Sequence, residues 1–199
     1  IKMGEQMENR FDHYWYTDIR EIVTLKDMLA GSADKYAKNP AFWVKTKKGQ
    51  PYSPISYRLL QHDVNAMGTC MTEMGWQGKR IAVMGQGCYE WIVTYLAVMN
   101  GIGIIVPIDK ELSGPEIENL LRTAECDTIF CTKAECSKLK GLSSIRNLVV
   151  MDFYGDRLDE EEVPDDSNLN LEKYEGWFEQ DETKKVYVTS WRGMLRDGD

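Results

Sequence analysis

Between Tyr57 and Met74 the apolar positions fall at Tyr57, Leu60, Val64, Met67, Met71 and Met74, in steps of three and four. That spacing lays one stripe along one face of a helix. Ser56 stands where a hydroxyl takes up a free amide, and Gly75 where a left-handed residue closes the helix. The methionines read as core packing rather than a cofactor site, because any docked helix shows so regular a stripe. Upstream, Thr24 and Asp27 mark another helix start, followed by Leu25, Met28, Leu29 and Ala33 at helical spacing. Between the two, "AFWVKTKKGQPYSPISY" predicts a hairpin: a strand from Ala41, a turn at Lys48-Gly49-Gln50, and a return strand that Pro51 and Pro54 mark as an edge.

From Arg80 the pattern changes. Short runs rich in Val and Ile begin near Arg80, Gly103, Asp127 and Asn147, about 20 to 24 residues apart. Helical stretches fill the intervals. The first places Cys88, Trp91, Ile92, Tyr95, Leu96 and Met99 on one face. The second opens with a capping box of Ser113 and Glu116, with Pro115 in its first turn. A third, shorter helix is expected from Lys133 to Lys140. Strands alternating with helices at this spacing form βαβ units. The fold class is therefore α/β: a parallel, doubly wound sheet of Rossmann or flavodoxin type with flanking helices, plus the small N-terminal hairpin.

After Met151 the chain turns acidic in "DRLDEEEVPDDSNLNLEKYEGWFEQDE", a composition that suits a solvated excursion. Order returns with "KVYV", read as a strand, and Ser190, read as a helix cap. The expected organisation is an arm over residues 1–23, an α/β subdomain over 24–152, the acidic excursion over 153–182, and a strand and helix start over 183–199. The arm carries the aromatic cluster Tyr14 to Tyr16, which has no partner motif for a ligand.

The net charge of −8 argues against nucleic acid as a partner, and no apolar run reaches the ~20 residues of a membrane-spanning helix. Five cysteines, Cys70, Cys88, Cys126, Cys131 and Cys136, form an odd set without a CxxC pair. They read as reduced, small apolar residues of a cytoplasmic protein. With His13 and His62 both remote in sequence, no metal ligand is assigned among them.

Three stretches hold candidate chemistry. Gly85-x-Gly87 follows a strand, as a dinucleotide fingerprint does, but Glu90 occupies the third glycine's place and would repel a pyrophosphate. The expectation there is a plain strand-to-helix turn. Asp109 in "VPIDKEL" lies past a strand end, where α/β folds bind ligands, yet Met84 and Gly85 stand where a phospho-acceptor site keeps further acids. Asp109 is expected to make turn hydrogen bonds and to meet Lys110 or another cation. "TSWRG", Thr189 to Gly193, has the outline of a phosphate loop, but Trp191 and Arg192 fill positions that need small residues, so Ser190 reads as a helix cap. No catalytic residue is assigned, and the cofactor-binding residues stay unknown at this level.

Taken as one string, "GKRIAVMGQGCYEWIVTYLAVMNGIGIIVPIDKELSGPEIENLLRTAECDTIFC" resembles the N-terminal region of AMP-forming long-chain acyl-CoA synthetases. The shared features are the strand after G-x-R, a turn followed by "YEW", the helix ending "AVMNG", the "VPIDKEL" segment and the "EIENLL" helix. "TLKDML", "NPAFWVK" and "ISYRLLQHDVNAMG" resemble the same enzymes' opening segment, and "YVTSWRGMLRDGD" the helix before their phosphate loop. The resemblance implies that a fatty carboxylate attacks the ATP α-phosphate, releasing pyrophosphate, and that the CoA thiol then displaces AMP. ATP, Mg²⁺ and CoA would serve a full-length parent, with none expected on this chain. The family's phosphate loop, its aromatic–Glu pair for Mg²⁺, its ribose Asp and its C-terminal lysine have no counterpart within these 199 residues. The expectation is thus an N-terminal piece of a fatty acid–CoA ligase that cannot adenylate alone and that self-associates through exposed surface. The rival readings are a stand-alone nucleotide-binding protein and a non-catalytic α/β interaction module.

Overall fold

The computed structural model describes residues 21–45, 49, 51–152, 169–178 and 185–199. The aromatic cluster at Tyr14 to Tyr16, His13, both flanks of the Gly49 turn and most of the acidic excursion lie outside the described residues.

Helix α1 (Leu25–Lys35) starts at Thr24, whose Oγ1 accepts from the Asp27 amide at 3.0 Å. Strands β1 (Pro40–Val44) and β2 (Ser53–Ser56) pair antiparallel as the expected hairpin, with Trp43 opposite Pro54. Helix α2 (Tyr57–Glu73) begins where Ser56 Oγ accepts from the Leu59 amide at 3.2 Å. It buries Leu60, Val64, Met67 and Met71, and ends before Gly75 at φ +71°. Met67 and Met71 are wholly buried. Burying a side chain of this size contributes about 1.5–3 kcal/mol, which is why the stripe decides where the helix lies.

The main sheet follows: β3 (Arg80–Met84), β4 (Ile104–Ile108), β5 (Thr128–Thr132), β6 (Asn147–Met151) and β7 (Tyr187–Ser190). All four pairings are parallel, in the spatial order β4-β3-β5-β6-β7. Period-two alternation divides each strand between two cores. Ile81, Val83, Phe130, Val149 and Met151 face one layer, with α1, α2, α3 (Tyr89–Ala97) and α6 (Trp191–Asp197). Ala82, Met84, Ile129, Cys131, Leu148 and Val150 face the other, with α4 (Gly114–Thr123) and α5 (Leu171–Glu175). The sheet is therefore covered on both faces, and every residue of β5 is buried.

Two local expectations need correction. The stretch expected to be helical from Lys133 to Lys140 forms only a single tight 3₁₀ turn, Cys136–Leu139, pinned by the buried Cys136 and Leu139 and left by Lys140 in an extended conformation. Helix α3 buries Glu90, Val93, Thr94 and Ala97 rather than the expected face, and Met99 is 40% exposed. Cys88 caps the helix instead of lying on it. The helix is apolar nearly all round, so hydrophobic spacing alone cannot choose its face, and partners elsewhere make two of its polar residues the buried ones. Past Ala97 the chain widens into a π turn, Val98–Ile102, with Gly101 at φ +118°.

Candidate functional site

Beyond β3 the chain turns outward through α3 to reach the edge strand β4, then crosses back over β3 to begin β5. A parallel α/β sheet offers its ligand crevice at such a reversal, outside the carboxyl ends of the two diverging strands. Here those ends carry Gly85–Cys88 after β3, and Thr132, the last residue of β5, with Lys133–Glu135 after it.

The crevice floor is closed by protein. Gly85 has φ +132°, and a Cβ built on it would lie 2.6 Å from Thr132 Cγ2 and 2.7 Å from Thr132 Cβ. The Gln86 amide donates to Thr132 Oγ1 at 3.3 Å, and the Thr132 hydroxyl in turn donates to Glu135. Gly85 is bare because Thr132 stands against it. Gly87 has open space around it. At the N-terminus of α3, where amides and dipole favour an anion, the Glu90 carboxylate already sits. Its own backbone N–H and the neighbouring Cys88 side chain favour its charged form, against its burial.

The end of β7 carries the third candidate stretch. Ser190 Oγ accepts from the Gly193 amide at 2.9 Å, capping α6 as expected. Trp191 is buried, and its Nε1–H donates at 3.0 Å to Thr94 Oγ1, whose hydroxyl donates to the Glu90 carbonyl at 2.8 Å. Arg192 Nη2 lies 3.8 Å from Glu90 Oε1. Next to this pair, past β6, Asp152 is buried with Lys133 Nζ 3.7 Å away. The structure thus gathers Glu90, Arg192, Asp152 and Lys133 at the carboxyl edge of the sheet. Burial pushes the Glu90 carboxyl above the ordinary range, with Arg192 opposing and Asp152 reinforcing the shift. Sequence reasoning took Glu90 only as an anion repellent and missed the grouping. Its one local signal was an acid and an arginine placed just past strand ends.

Asp109 lies apart from this group. Its Oδ1 accepts from the Glu111 amide at 2.9 Å, the expected turn bond. Lys110, however, extends to Gln86 Oε1 and Glu111 Oε1, both at 3.4 Å, rather than to Asp109. The five cysteines are all unpaired. Burial pushes the Cys70 thiol up to about 11 and raises Cys88, Cys126 and Cys131 as well, which keeps them protonated and weakly nucleophilic. Among the described residues no three His, Cys, Asp or Glu side chains are grouped to hold a metal ion, and no helix is long and apolar enough to cross a membrane.

Neither turn fits a triphosphate with its Mg²⁺. Thr132 fills the space beside Gly85 and the buried Glu90 side chain occupies the first turn of α3, while the Ser190 turn directs Trp191 into the core.

Comparison with known proteins places this architecture. A family model described as AMP-binding enzyme matches residues 29–189. The chain is 27% identical over 159 residues to a long-chain-fatty-acid–CoA ligase 1 from Cavia porcellus, covering 74% of this chain and 22% of that protein. It is 31% identical over 117 residues to a plipastatin synthase from Bacillus subtilis (strain 168), covering 59% of this chain and 4% of the relative. Among solved structures, the A-PCP didomain of a carboxylic acid reductase from Segniliparus rugosus, in complex with AMP, superposes with a TM-score of 0.67. That match covers 90% of this chain and 27% of the other at 14% identity, and shows the shared fold. The chain spans about a fifth of the length of the fatty acid ligase it matches.

Proposed function

The chain belongs to the AMP-binding enzyme family, and from that membership we propose that it is part of an ATP-dependent fatty acid–CoA ligase. The observation that carries this reading is the match to a long-chain-fatty-acid–CoA ligase over 74% of the chain, in a protein whose "YEW", "AVMNG" and "VPIDKEL" segments keep the order and spacing of that group. ATP would supply the activated phosphate on which a fatty carboxylate becomes an acyl adenylate, and CoA would take the acyl group as a thioester.

In this proposal the described residues are scaffold. Gly85 brings β3 and β5 into contact at Thr132, and the caps at Ser56, Ser113 and Ser190 set the directions in which helices leave the strands. Mg²⁺ and the nucleotide would be held by residues beyond the described ones, so the 199-residue chain is proposed to be inactive alone. The same proposal places the protein in the cytoplasm, with five unpaired cysteines as its support.

Two assays test the reading. The purified 199-residue chain should give no palmitate-dependent exchange of pyrophosphate into ATP; exchange above the no-acid background overturns the assignment of inactivity. The complete open reading frame that contains this chain should form palmitoyl-CoA and AMP from palmitate, ATP and CoA. The match to a plipastatin synthase supports a second reading, an amino-acid-adenylating enzyme. Amino-acid-dependent exchange without acyl-CoA formation decides for that reading and against the first.

A further inference from the structure

Glu90 is 4% exposed, in the first turn of α3. Among the described residues, groups face it from its own turn, from α6 and from the ends of β6 and β5. Cys88 and Tyr89 belong to its own turn, and the Tyr89 hydroxyl is occupied by Asp63 of α2 at 2.6 Å. Arg192 approaches from α6, with Nη2 at 3.8 Å, beyond hydrogen-bond reach. Asp152 approaches from the end of β6, a second buried carboxylate, and is paired at 3.7 Å with Lys133 from the end of β5. Helix α6 is packed onto this spot. Trp191 is buried against Tyr89, with ring centroids 6.5 Å apart, and is bonded to Thr94 one turn further along α3.

Taking a carboxylate out of water costs several kcal/mol unless close, hydrogen-bonded charge compensates it. A guanidinium at 3.8 Å compensates in part, and the Asp152 carboxylate works against it. We propose that docking of α6 beside Glu90 is coupled to the uptake of one proton, so that the helix is held most firmly with Glu90 neutral and loosens as the pH rises.

The direction follows from linkage. Burial raises the Glu90 carboxyl above its ordinary 4.5 in the docked state, whereas with α6 lifted away the group is hydrated and nearer its ordinary value. The docked form keeps a proton that the open form releases. Its advantage is complete below the ordinary value and is lost as the pH climbs through the raised one. This device goes beyond the ligase reading and stands whether or not that reading holds, because it rests only on the contacts of α3, α6 and the β6 end.

The test is hydrogen exchange of the α6 backbone in the 199-residue chain, followed by mass spectrometry from about pH 5 to about pH 9 and corrected for intrinsic rates. Just past the end of α6, His62 Nε2 lies 2.9 Å from Asp199 Oδ1, a pair that titrates in the same range. Both proteins compared therefore carry His62→Gln. With Glu90 present, α6 protection should fall with rising pH by up to about tenfold per unit, the ceiling for one proton. Adding Glu90→Gln should remove that slope and leave α6 protected at the alkaline end. Equal slopes in the two proteins overturn the proposal. If circular dichroism shows that the Glu90→Gln protein is unfolded, infrared titration of the protein with Glu90 decides. A protonated carboxyl band that disappears over the interval in which α6 loses protection supports the proposal, and no such band in that interval overturns it.

Discussion

Gly85 and Gly87 stand two positions apart, and a methyl group on each would meet different surroundings. On Gly85 it would be driven into the Thr132 side chain, at a backbone φ of +132° that side-chain-bearing residues rarely adopt. On Gly87 it would meet nothing within 4 Å. Gly85→Ala should therefore cost about 3 kcal/mol or more, combining backbone strain of about 1–3 kcal/mol with overpacking of similar size. Gly87→Ala should change stability by less than about 0.5 kcal/mol. Urea unfolding of the two variants beside the parent reads both values. A phosphate cradle would need both glycines for close backbone approach to an anion, whereas packing needs only the first. Equal stability losses at the two positions would sink the packing explanation.

At the scale of single elements, α4 shows how a carboxylate outside its own cap fixes a helix in place. Glu118 reaches across to the loop before β6, where the Ser143 and Ser144 hydroxyls donate to Oε1 at 2.6 and 2.9 Å and the Ser144 amide donates to Oε2 at 3.3 Å. Partial burial works against the charge, but these donors prevail and hold the Glu118 carboxyl below its ordinary value of 4.5. A depressed carboxylate contributes stability above its ordinary value and loses it as the pH falls through the lower, folded value. Glu118→Gln should lower the urea midpoint at neutral pH and flatten its decline below pH 4.5. An unchanged acid limb in that variant would remove Glu118 from the account. Elements of this kind were legible where their signals are local. Thr24, Ser56, Ser113 with Glu116, and Ser190 all cap as read, since a cap joins residues three apart. Strands β3, β4 and β6 were legible for the same reason, each being a short run rich in Val and Ile. The buried face of α3 was not, because it is chosen by Trp191 and Arg192, which arrive from the far end of the chain. The Glu90–Arg192 grouping was hidden by the same distance. The reason for Gly85 lay in Thr132, on a strand that becomes its neighbour only when β4 is laid to the other side of β3.

At the scale of the whole molecule, the described sheet ends in β4 on one side and β7 on the other. Among the described residues no further strand pairs with either end, and an unpaired strand edge is the kind of surface that pairs with another chain. Pro107 in β4 withholds one donor, as proline on an edge strand does, and β7 is only four residues long. Ile104 nonetheless stands 56% exposed at the start of β4, and Tyr187 stands 48% exposed on β7. Opposing any self-association is the net charge of −8, a repulsion that salt screens. Apolar edge contact and long-range repulsion respond to salt in opposite ways, so their balance is measurable. Sedimentation velocity at rising concentration should show weak, reversible association that strengthens with added salt. Ile104→Lys should weaken it, by placing a charge on the apolar part of the β4 edge. A strict monomer at every concentration and ionic strength would mean that Pro107 and the charge already suffice to silence that edge, and the expected self-association would be abandoned.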